Sequence, residues 1–170
     1  MIPTNKQPLF IITGASCVGK TSACSILFHR EHDYIVMESD LLWNEHYNTP
    51  EDNYCEYRRL WMRTAASIAH VVLCGCAVPE QFETQPERNY FTNIHYLAVV
   101  CDDICMEQRI CTGRGISDTD HIKNSKSFNK WLRDYAGQTS PSITLLDNSD
   151  ITPEETADII DEWIRKRMDT

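Results

Sequence analysis

Short apolar runs alternate along the chain with segments in which apolar residues recur at the period of an α-helix. The runs are Pro8 to Thr13, Tyr34 to Met37, Val71 to Cys74, Tyr96 to Cys101 and Ile143 to Leu146. Short continuous apolar runs are typical of strands that are covered on both faces, as in parallel sheets. We therefore predict five strands in a mostly parallel sheet.

Helical segments separate these runs. We predict helices from Thr21 to Phe28, after the pair Thr49-Pro50, and after the capping sequence Thr152-Pro153. Spacing also predicts a helix whose inward face is Phe128, Trp131, Leu132 and Tyr135. In the helix after Thr152-Pro153, the predicted inward face is Ile159, Ile160, Trp163 and Ile164. Strands and helices alternate with no repeat and no break in composition, which predicts one α/β domain over residues 1–170.

Composition and charge narrow the possible partners. The 170 residues carry a formal net charge of −9, which disfavours nucleic acids and anionic membranes because phosphate recognition requires a basic surface. No apolar run approaches the ~20 residues of a membrane span, and the first one is too short for a secretory signal. The 8 cysteines and 6 histidines lack the spacing of zinc or redox motifs. We expect a cytoplasmic protein with reduced thiols, acting as a monomer or a homodimer on a small molecule.

The strongest functional signal follows the first predicted strand. It is the segment Gly14-Ala15-Ser16-Cys17-Val18-Gly19-Lys20-Thr21, which matches the phosphate-loop pattern G-x-x-x-x-G-K-[ST] between a strand and a helix. The glycines allow backbone N–H groups to converge on phosphate oxygens, Lys20 reaches the β- and γ-phosphates, and Thr21 is the candidate ligand for Mg²⁺. The sequence therefore predicts a nucleotide-binding protein that uses ATP and Mg²⁺.

Acidic residues indicate what the nucleotide is used for. The third predicted strand lacks the terminal Asp-Glu pair of motor and transporter ATPases, and the stretch from Asp147 to Asp150 lacks the base-reading motif of GTPases. The acids instead follow the second strand, at Glu38 and Asp40, where the carboxyl end of a strand meets a loop. Asp40 is placed either to act on a substrate or to cap the helix that begins at Leu41.

With these features, the chain resembles the small P-loop kinases of the nucleoside monophosphate kinase fold, a group that includes shikimate kinase, gluconate kinase, chloramphenicol phosphotransferase and nucleoside kinases. The resemblance spans nearly the whole chain. It implies a three-layer α/β/α fold with a five-stranded parallel sheet in the order 2-3-1-4-5. It also implies an acceptor-binding region at about residues 41–70 and a small lid at about residues 112–118.

The resemblance also implies roles for individual residues. Asp40 would orient or deprotonate the acceptor hydroxyl, while Arg114 and Arg109 would stabilise the transferring phosphoryl group together with Lys20. Asn148 would pass close to the adenine, and Ser22 would extend the nucleotide site. Candidates for acceptor binding are Trp43, Asn44, Tyr47, Arg58, Glu80 and Gln81, with Arg58 preferred because Arg59 and Arg63 point away from the apolar helix face.

The expected activity is transfer of the γ-phosphate of ATP to a hydroxyl of a small molecule, with a nucleoside-like compound as the first acceptor class. A nucleoside monophosphate kinase is the main alternative, although it needs a cationic cradle and no base. A polynucleotide 5′-hydroxyl kinase shares the chemistry, but the negative charge opposes it. A non-enzymatic nucleotide-gated binding protein is the third alternative, and it would need neither Asp40 nor the lid arginines.

Overall fold

The computed structural model describes residues 5–42, 54–110 and 118–168. The strands are β1 (Gln7–Thr13), β2 (Ile35–Glu38), β3 (Val71–Cys74), β4 (Phe91–Val100) and β5 (Thr144–Asp147). The α-helices are α1 (Lys20–Phe28), α2 (Cys55–Ala66), α3 (Glu80–Glu83), α4 (Asp103–Gln108), α5 (Thr119–Tyr135) and α6 (Pro153–Met168). Short 3₁₀ turns lie at Ser39–Leu42, Pro86–Tyr90 and Ala136–Gln138.

The five strands form one parallel sheet in the order β2-β3-β1-β4-β5, which confirms the predicted fold class. The central strand β1 pairs on one side with β3, where Ile11 aligns with Leu73, and on the other with β4, where Ile11 aligns with Tyr96. All strands point the same way, so their carboxyl ends meet at one edge. The phosphate loop and the acids after β2 both lie at that edge.

Alternating side chains of β1 build a hydrophobic core on each face of the sheet. Phe10 and Ile12 pack with residues of α1 and α6, whereas Leu9 and Ile11 pack with residues of α2 and the carboxyl half of α5. Because both faces are covered, every residue from Leu9 to Thr13 is buried. The predicted three layers are confirmed.

Two predicted inward faces each contain one exposed residue. Tyr135 is 49% exposed and Ile159 is 41% exposed, so their assignment to the core is wrong. Ile159 precedes Ile160 by one residue, which turns it about 100° away from the buried stripe. In α5, the buried face includes the polar residue Asn129, whose side chain bonds the N–H and the carbonyl of Cys101 beyond the end of β4. A tertiary hydrogen bond thus decides which face of α5 is buried.

The predicted cap of α6 is confirmed. The Thr152 N–H donates to Glu155 Oε2 over 2.8 Å, and the Glu155 N–H donates to Thr152 Oγ1 over 3.1 Å, which is a capping box. The predicted helix start at Thr49-Pro50 lies outside the described residues. Within the described ranges, no helix combines the length and apolar character needed to cross a bilayer.

Candidate active site

The phosphate loop connects β1 to α1 through backbone conformations that favour glycine. Gly14 has φ 149° and Gly19 has φ 100°. A Cβ atom on Gly14 would lie 2.5 Å from the Val99 carbonyl oxygen, so any side chain there would displace the loop from the sheet. Cys17 also has a positive φ, of 66°. Backbone N–H groups in turns that include such residues can point toward the inside of a loop, where an anion can bind.

Lys20 is the first residue of α1 and is buried. Its ammonium Nζ donates a hydrogen bond to the Ala15 carbonyl over 2.8 Å, which holds the charge inside the curve of the loop. The first turn of α1 has no acidic residue, so the positive end of the helix dipole adds to that charge. Thr21 and Ser22 follow with exposed side chains that line the adjacent cavity.

Arg109 and Asn148 brace the far side of the loop. Arg109 Nη1 donates to the Val18 carbonyl over 2.8 Å and to Asn148 Oδ1 over 2.9 Å, while Nη2 donates to the Asn148 carbonyl over 3.1 Å. Asn148 Nδ2 donates to the same Val18 carbonyl over 2.8 Å. Both side chains therefore connect the loop to the ends of α4 and β5.

The two acids lie at the end of β2. Glu38 is its last residue, and Asp40 is exposed in the 3₁₀ turn that follows. The Ser39 carbonyl between them accepts hydrogen bonds from the Tyr57 hydroxyl and, over 2.9 Å, from Trp61 Nε1. Burial raises the pKa of Tyr57 above its usual value, so this hydroxyl keeps the proton that it donates.

The loop after β3 joins the acids to the phosphate loop. The Gly75 N–H donates to the Ile12 carbonyl over 3.0 Å, and the Thr13 hydroxyl exchanges hydrogen bonds with the backbone of Ala77. A Cβ atom on Gly75 would lie 2.6 Å from Ser39 Oγ, so this glycine allows the turn after β2 to pack closely. The ends of β1, β2 and β3 thus form one continuous edge.

A cavity of about 880 Å³ opens at this edge. It brings together predicted residues from both substrates' expected sites: Ser16, Cys17, Gly19, Lys20, Thr21, Ser22, Arg109 and Asn148 on the phosphate-loop side, and Glu38, Asp40, Arg58 and Gln81 on the opposite side. Gly14, Ala15 and Val18 are buried behind the loop surface. Glu80 is exposed and is not part of the cavity wall.

Some predicted residues lie outside the described ranges: Trp43, Asn44, Tyr47, Arg114 and the lid up to residue 117. Within the ranges, sequence reasoning missed Ser39 and the use of Tyr57 and Trp61 as hydrogen-bond donors to it. Tyr57 and Trp61 are four residues apart, which predicts a shared face of one helix, but nothing local connects them with a carbonyl 18 and 22 residues earlier.

Helix α2, which contributes Arg58 to the cavity, is fastened by a buried carboxylate. Glu87 accepts hydrogen bonds from Arg59 Nε over 3.1 and 3.0 Å, and Arg63 Nη1 lies 3.7 Å from the same group. Although burial opposes ionisation, the Arg59 hydrogen bonds hold the pKa of Glu87 below its usual value. Arg59 and Arg63 are not among the residues that line the cavity, and their contacts with Glu87 anchor the helix.

Comparison with solved structures supports the fold. No protein-family model and no curated protein sequence matches the chain. Solved structures do match over nearly their full length. A gluconokinase from Sinorhizobium meliloti 1021 is 11% identical with a TM-score of 0.72, covering 97% of this chain and 96% of that one. A sugar kinase from Janibacter sp. HTCC2649 is 16% identical with a TM-score of 0.67, covering 95% of each chain.

A thymidylate kinase from Candida albicans also matches, with 12% identity, a TM-score of 0.59, and coverage of 95% of this chain and 92% of that one. The chain therefore has the fold of the P-loop small-molecule kinases, which confirms the resemblance inferred from the sequence. At these identities the likeness defines the fold alone. The names of the three neighbours differ in the acceptor they imply, so the acceptor must be argued from the residues of the cavity.

Proposed function

We propose that the protein is an ATP-dependent kinase that transfers the γ-phosphate to a hydroxyl group of a small molecule. The observation that carries this proposal is that one cavity is lined both by the phosphate loop, which contains Lys20, and by Asp40 in the turn after β2. Lys20 acts on phosphate charge, and a carboxylate across from it acts on the acceptor. The fold shared with sugar and nucleotide kinases supports the same conclusion.

The loop residues fit ATP and Mg²⁺. A Cβ atom at Gly14 would collide with Val99, and the backbone from Gly14 to Thr21 leaves the inner surface of the loop to N–H groups and to Lys20. The exposed Thr21 hydroxyl would hold Mg²⁺, whose charge would offset that of the phosphates. Arg109 and Asn148 form the wall next to the loop, where the nucleoside part of ATP would lie.

In the proposed reaction, Asp40 orients the acceptor hydroxyl and accepts its proton. The acceptor oxygen forms a bond to the γ-phosphorus while the bond from that phosphorus to the bridging oxygen breaks, which releases ADP. Lys20 neutralises charge on the transferring group, and we propose that Arg114 and Arg109 share this task. Positioning by these groups supplies most of the rate enhancement because the chemistry itself needs little covalent help.

Charge supports an alcohol as the acceptor. Among the described residues that line the cavity opposite the loop, Glu38 and Asp40 are acidic and Arg58 is the single cation. An acceptor that already carries phosphate would bring two negative charges beside these carboxylates, whereas a neutral or cationic alcohol meets no such repulsion. Aromatic residues on this wall, including Tyr54 and Phe82, lead us to place nucleoside-like alcohols first.

A nucleoside monophosphate kinase is the second candidate. Arg58 faces the cavity, and a thymidylate kinase has the same fold, which are the two observations in its favour. In that case Asp40 would not serve as a base, because a phosphate acceptor is already ionised.

A nucleotide-gated binding protein without turnover is the third candidate. We place the protein in the cytoplasm in all three cases.

A panel of acceptors tests the proposal. The protein is incubated with ATP and Mg²⁺ and with nucleosides, their matching monophosphates, gluconate, shikimate and aminoglycosides, and phosphorylated products are identified by mass spectrometry. We expect the highest kcat/KM with an alcohol and no product from the Lys20→Ala variant. Higher kcat/KM with any monophosphate than with every alcohol would favour the second candidate. Binding of an ATP analogue without any product would favour the third.

A further inference from the structure

Among the described residues, few contacts fix the position of the Asp40 side chain. In the part of the chain that the structure describes, its carboxylate has one hydrogen bond, in which the neighbouring Ser39 hydroxyl donates to Oδ1 over 3.3 Å. The carboxylate is exposed at the wall of the cavity. A group that must meet a hydroxyl within hydrogen-bond distance needs its direction set by something else. The backbone of the turn Ser39–Leu42, which carries Asp40, can set that direction.

Two donors from α2 hold that backbone. The Tyr57 hydroxyl and Trp61 Nε1 both donate to the Ser39 carbonyl, which belongs to the peptide unit that leads into Asp40. The two residues are one helical turn apart, so their side chains lie on the same face of α2. They are 8% and 1% exposed, which leaves their rings little freedom to move. The carbonyl is therefore held by rigid, buried groups.

The opposite side of the turn is equally constrained. The Ser39 side chain packs so closely on Gly75 that a Cβ there would lie 2.9 Å from Ser39 Cβ. Gly75 is itself bonded to β1 through the Ile12 carbonyl. Ser39 thus lies between α2 and the strand that carries the phosphate loop. The contacts of Ser39 with α2 and with Gly75 therefore connect the position of Asp40 to the position of Lys20.

We propose that Tyr57 and Trp61 are positioning residues that set the Asp40 carboxylate for the acceptor hydroxyl by holding the Ser39 carbonyl. This inference rests on the proposed function, because it assumes that Asp40 acts on an alcohol. It assigns to the buried aromatic pair a task beyond packing. It also connects α2, which contributes Arg58 to the acceptor wall, with the group that receives the proton.

The decisive variant is Tyr57→Phe, which removes one hydroxyl and keeps the ring. We expect kcat for the best alcohol of the panel to fall about tenfold, with KM for ATP and the melting temperature nearly unchanged. Tyr34→Phe is the matched control, because it removes a hydroxyl that donates to Asp161 over 2.6 Å on α6. We expect the control to keep the parent kcat. Equal kcat in Tyr57→Phe and the parent would overturn the inference.

A double-mutant cycle separates positioning from a general structural effect. In an Asp40→Asn background there is no carboxylate base left to position, so Tyr57→Phe should cause no further loss of kcat. A tenfold loss in both backgrounds would overturn the inference while leaving the proposed kinase activity intact. Conversely, Asp40→Asn with full activity would remove the base from the proposed function.

Hydrogen exchange tests the same contact without any acceptor. We expect amides of residues 39–42 to exchange several-fold faster in Tyr57→Phe than in the parent, and at the parent rate in Tyr34→Phe. Unchanged exchange in Tyr57→Phe would overturn the inference even if no acceptor is ever turned over. Failure of the proposed function would instead appear as absence of product from the parent protein.

Discussion

The two walls of the cavity differ in what holds them in place. The phosphate-loop wall is formed by neighbouring residues whose backbone angles are set by Gly14 and Gly19, and its lysine bonds within the same loop. The Asp40 wall is formed by residues from separate segments, held by side chains of α2 and by packing on Gly75. The loop in the first wall is thus shaped by local backbone geometry and is also held by Arg109 and Asn148, whereas the second wall depends on contacts between separate segments throughout.

This difference explains why a fold can keep its donor site while its acceptor changes. Backbone N–H groups bind phosphate regardless of the side chains around them, so the loop needs few specific residues. The proposed acceptor wall uses side chains such as Glu38, Arg58 and Gln81, which belong to segments other than the loop. Neighbours with 11–16% identity accordingly share this fold under names that imply different acceptors.

The largest effect should come from the loop wall. In Lys20→Ala, we expect kcat/KM for transfer to fall by at least ~10³ because the ammonium that neutralises phosphate charge is removed. The melting temperature should stay within a few degrees of the parent value, as measured by circular dichroism. Lys130→Ala, which breaks an exposed pair with Asp134, is the control. Transfer within tenfold of the parent would contradict the assignment of the loop.

Asp40→Asn should impair the function of the Asp40 wall and leave that of the phosphate-loop wall nearly unchanged. We expect kcat to fall by about 10² because an amide cannot accept the proton, while affinity for an ATP analogue stays within a few-fold of the parent. Turnover assays and calorimetric titration measure the two quantities. Asp33→Asn, at an exposed site before β2, is the control. An unchanged kcat would exclude Asp40 as the base and favour a monophosphate acceptor.

Asn148→Ala should weaken the brace between the loop and β5. The Val18 carbonyl and Arg109 each lose a buried hydrogen-bond partner, which should reduce the free energy of unfolding by about 1–3 kcal/mol. Affinities for ATP and GTP, measured by titration, should then fall by similar factors. A loss confined to ATP would instead indicate the predicted contact with the adenine. The exposed Asn124→Ala serves for comparison.

The smallest expected effect is a loss of stability at low pH. It should arise at Glu87, which anchors α2 on the acceptor side of the cavity. Glu87 has a lowered pKa in the folded state, so its contribution to stability is present above its unfolded pKa and is lost as pH falls through the folded value. Glu87→Gln should lower the melting temperature at pH 7 by about 2–4 °C and flatten its decline below about pH 5.

Glu31→Gln, which changes an exposed carboxylate, should leave that decline as it is. Equal slopes in the parent and Glu87→Gln would show that the Arg59 contact does not anchor α2 in solution. Melting curves between about pH 3 and 7 provide the measurement for both variants.

Much of the fold was predictable from the sequence because its signals are local. β1 starts within one residue of its predicted start, β3 matches its predicted range, and the Thr152 capping box forms as expected. Continuous apolar runs and capping residues act on their immediate neighbours, so the elements that they predict can be inferred from a short segment of sequence. The phosphate loop can be predicted from its local sequence pattern for the same reason.

Tertiary contacts decided the remaining features. In α5, Asn129 is buried and bonds the N–H and the carbonyl of Cys101 after β4, whereas Tyr135 is exposed. Asn148, predicted near the adenine, uses its side chain to bond the Val18 carbonyl and Arg109.

The sequence by itself determined a P-loop α/β fold and the two groups, Lys20 and Asp40, proposed for the chemistry. Only the tertiary structure decided how they are brought to one cavity, through Gly75 and the donors of Tyr57 and Trp61. The physical reason is the distance along the chain over which each kind of interaction acts. Backbone angles and helix caps depend on adjacent residues, whereas the shape of a cavity depends on contacts between segments that meet only when the sheet has formed.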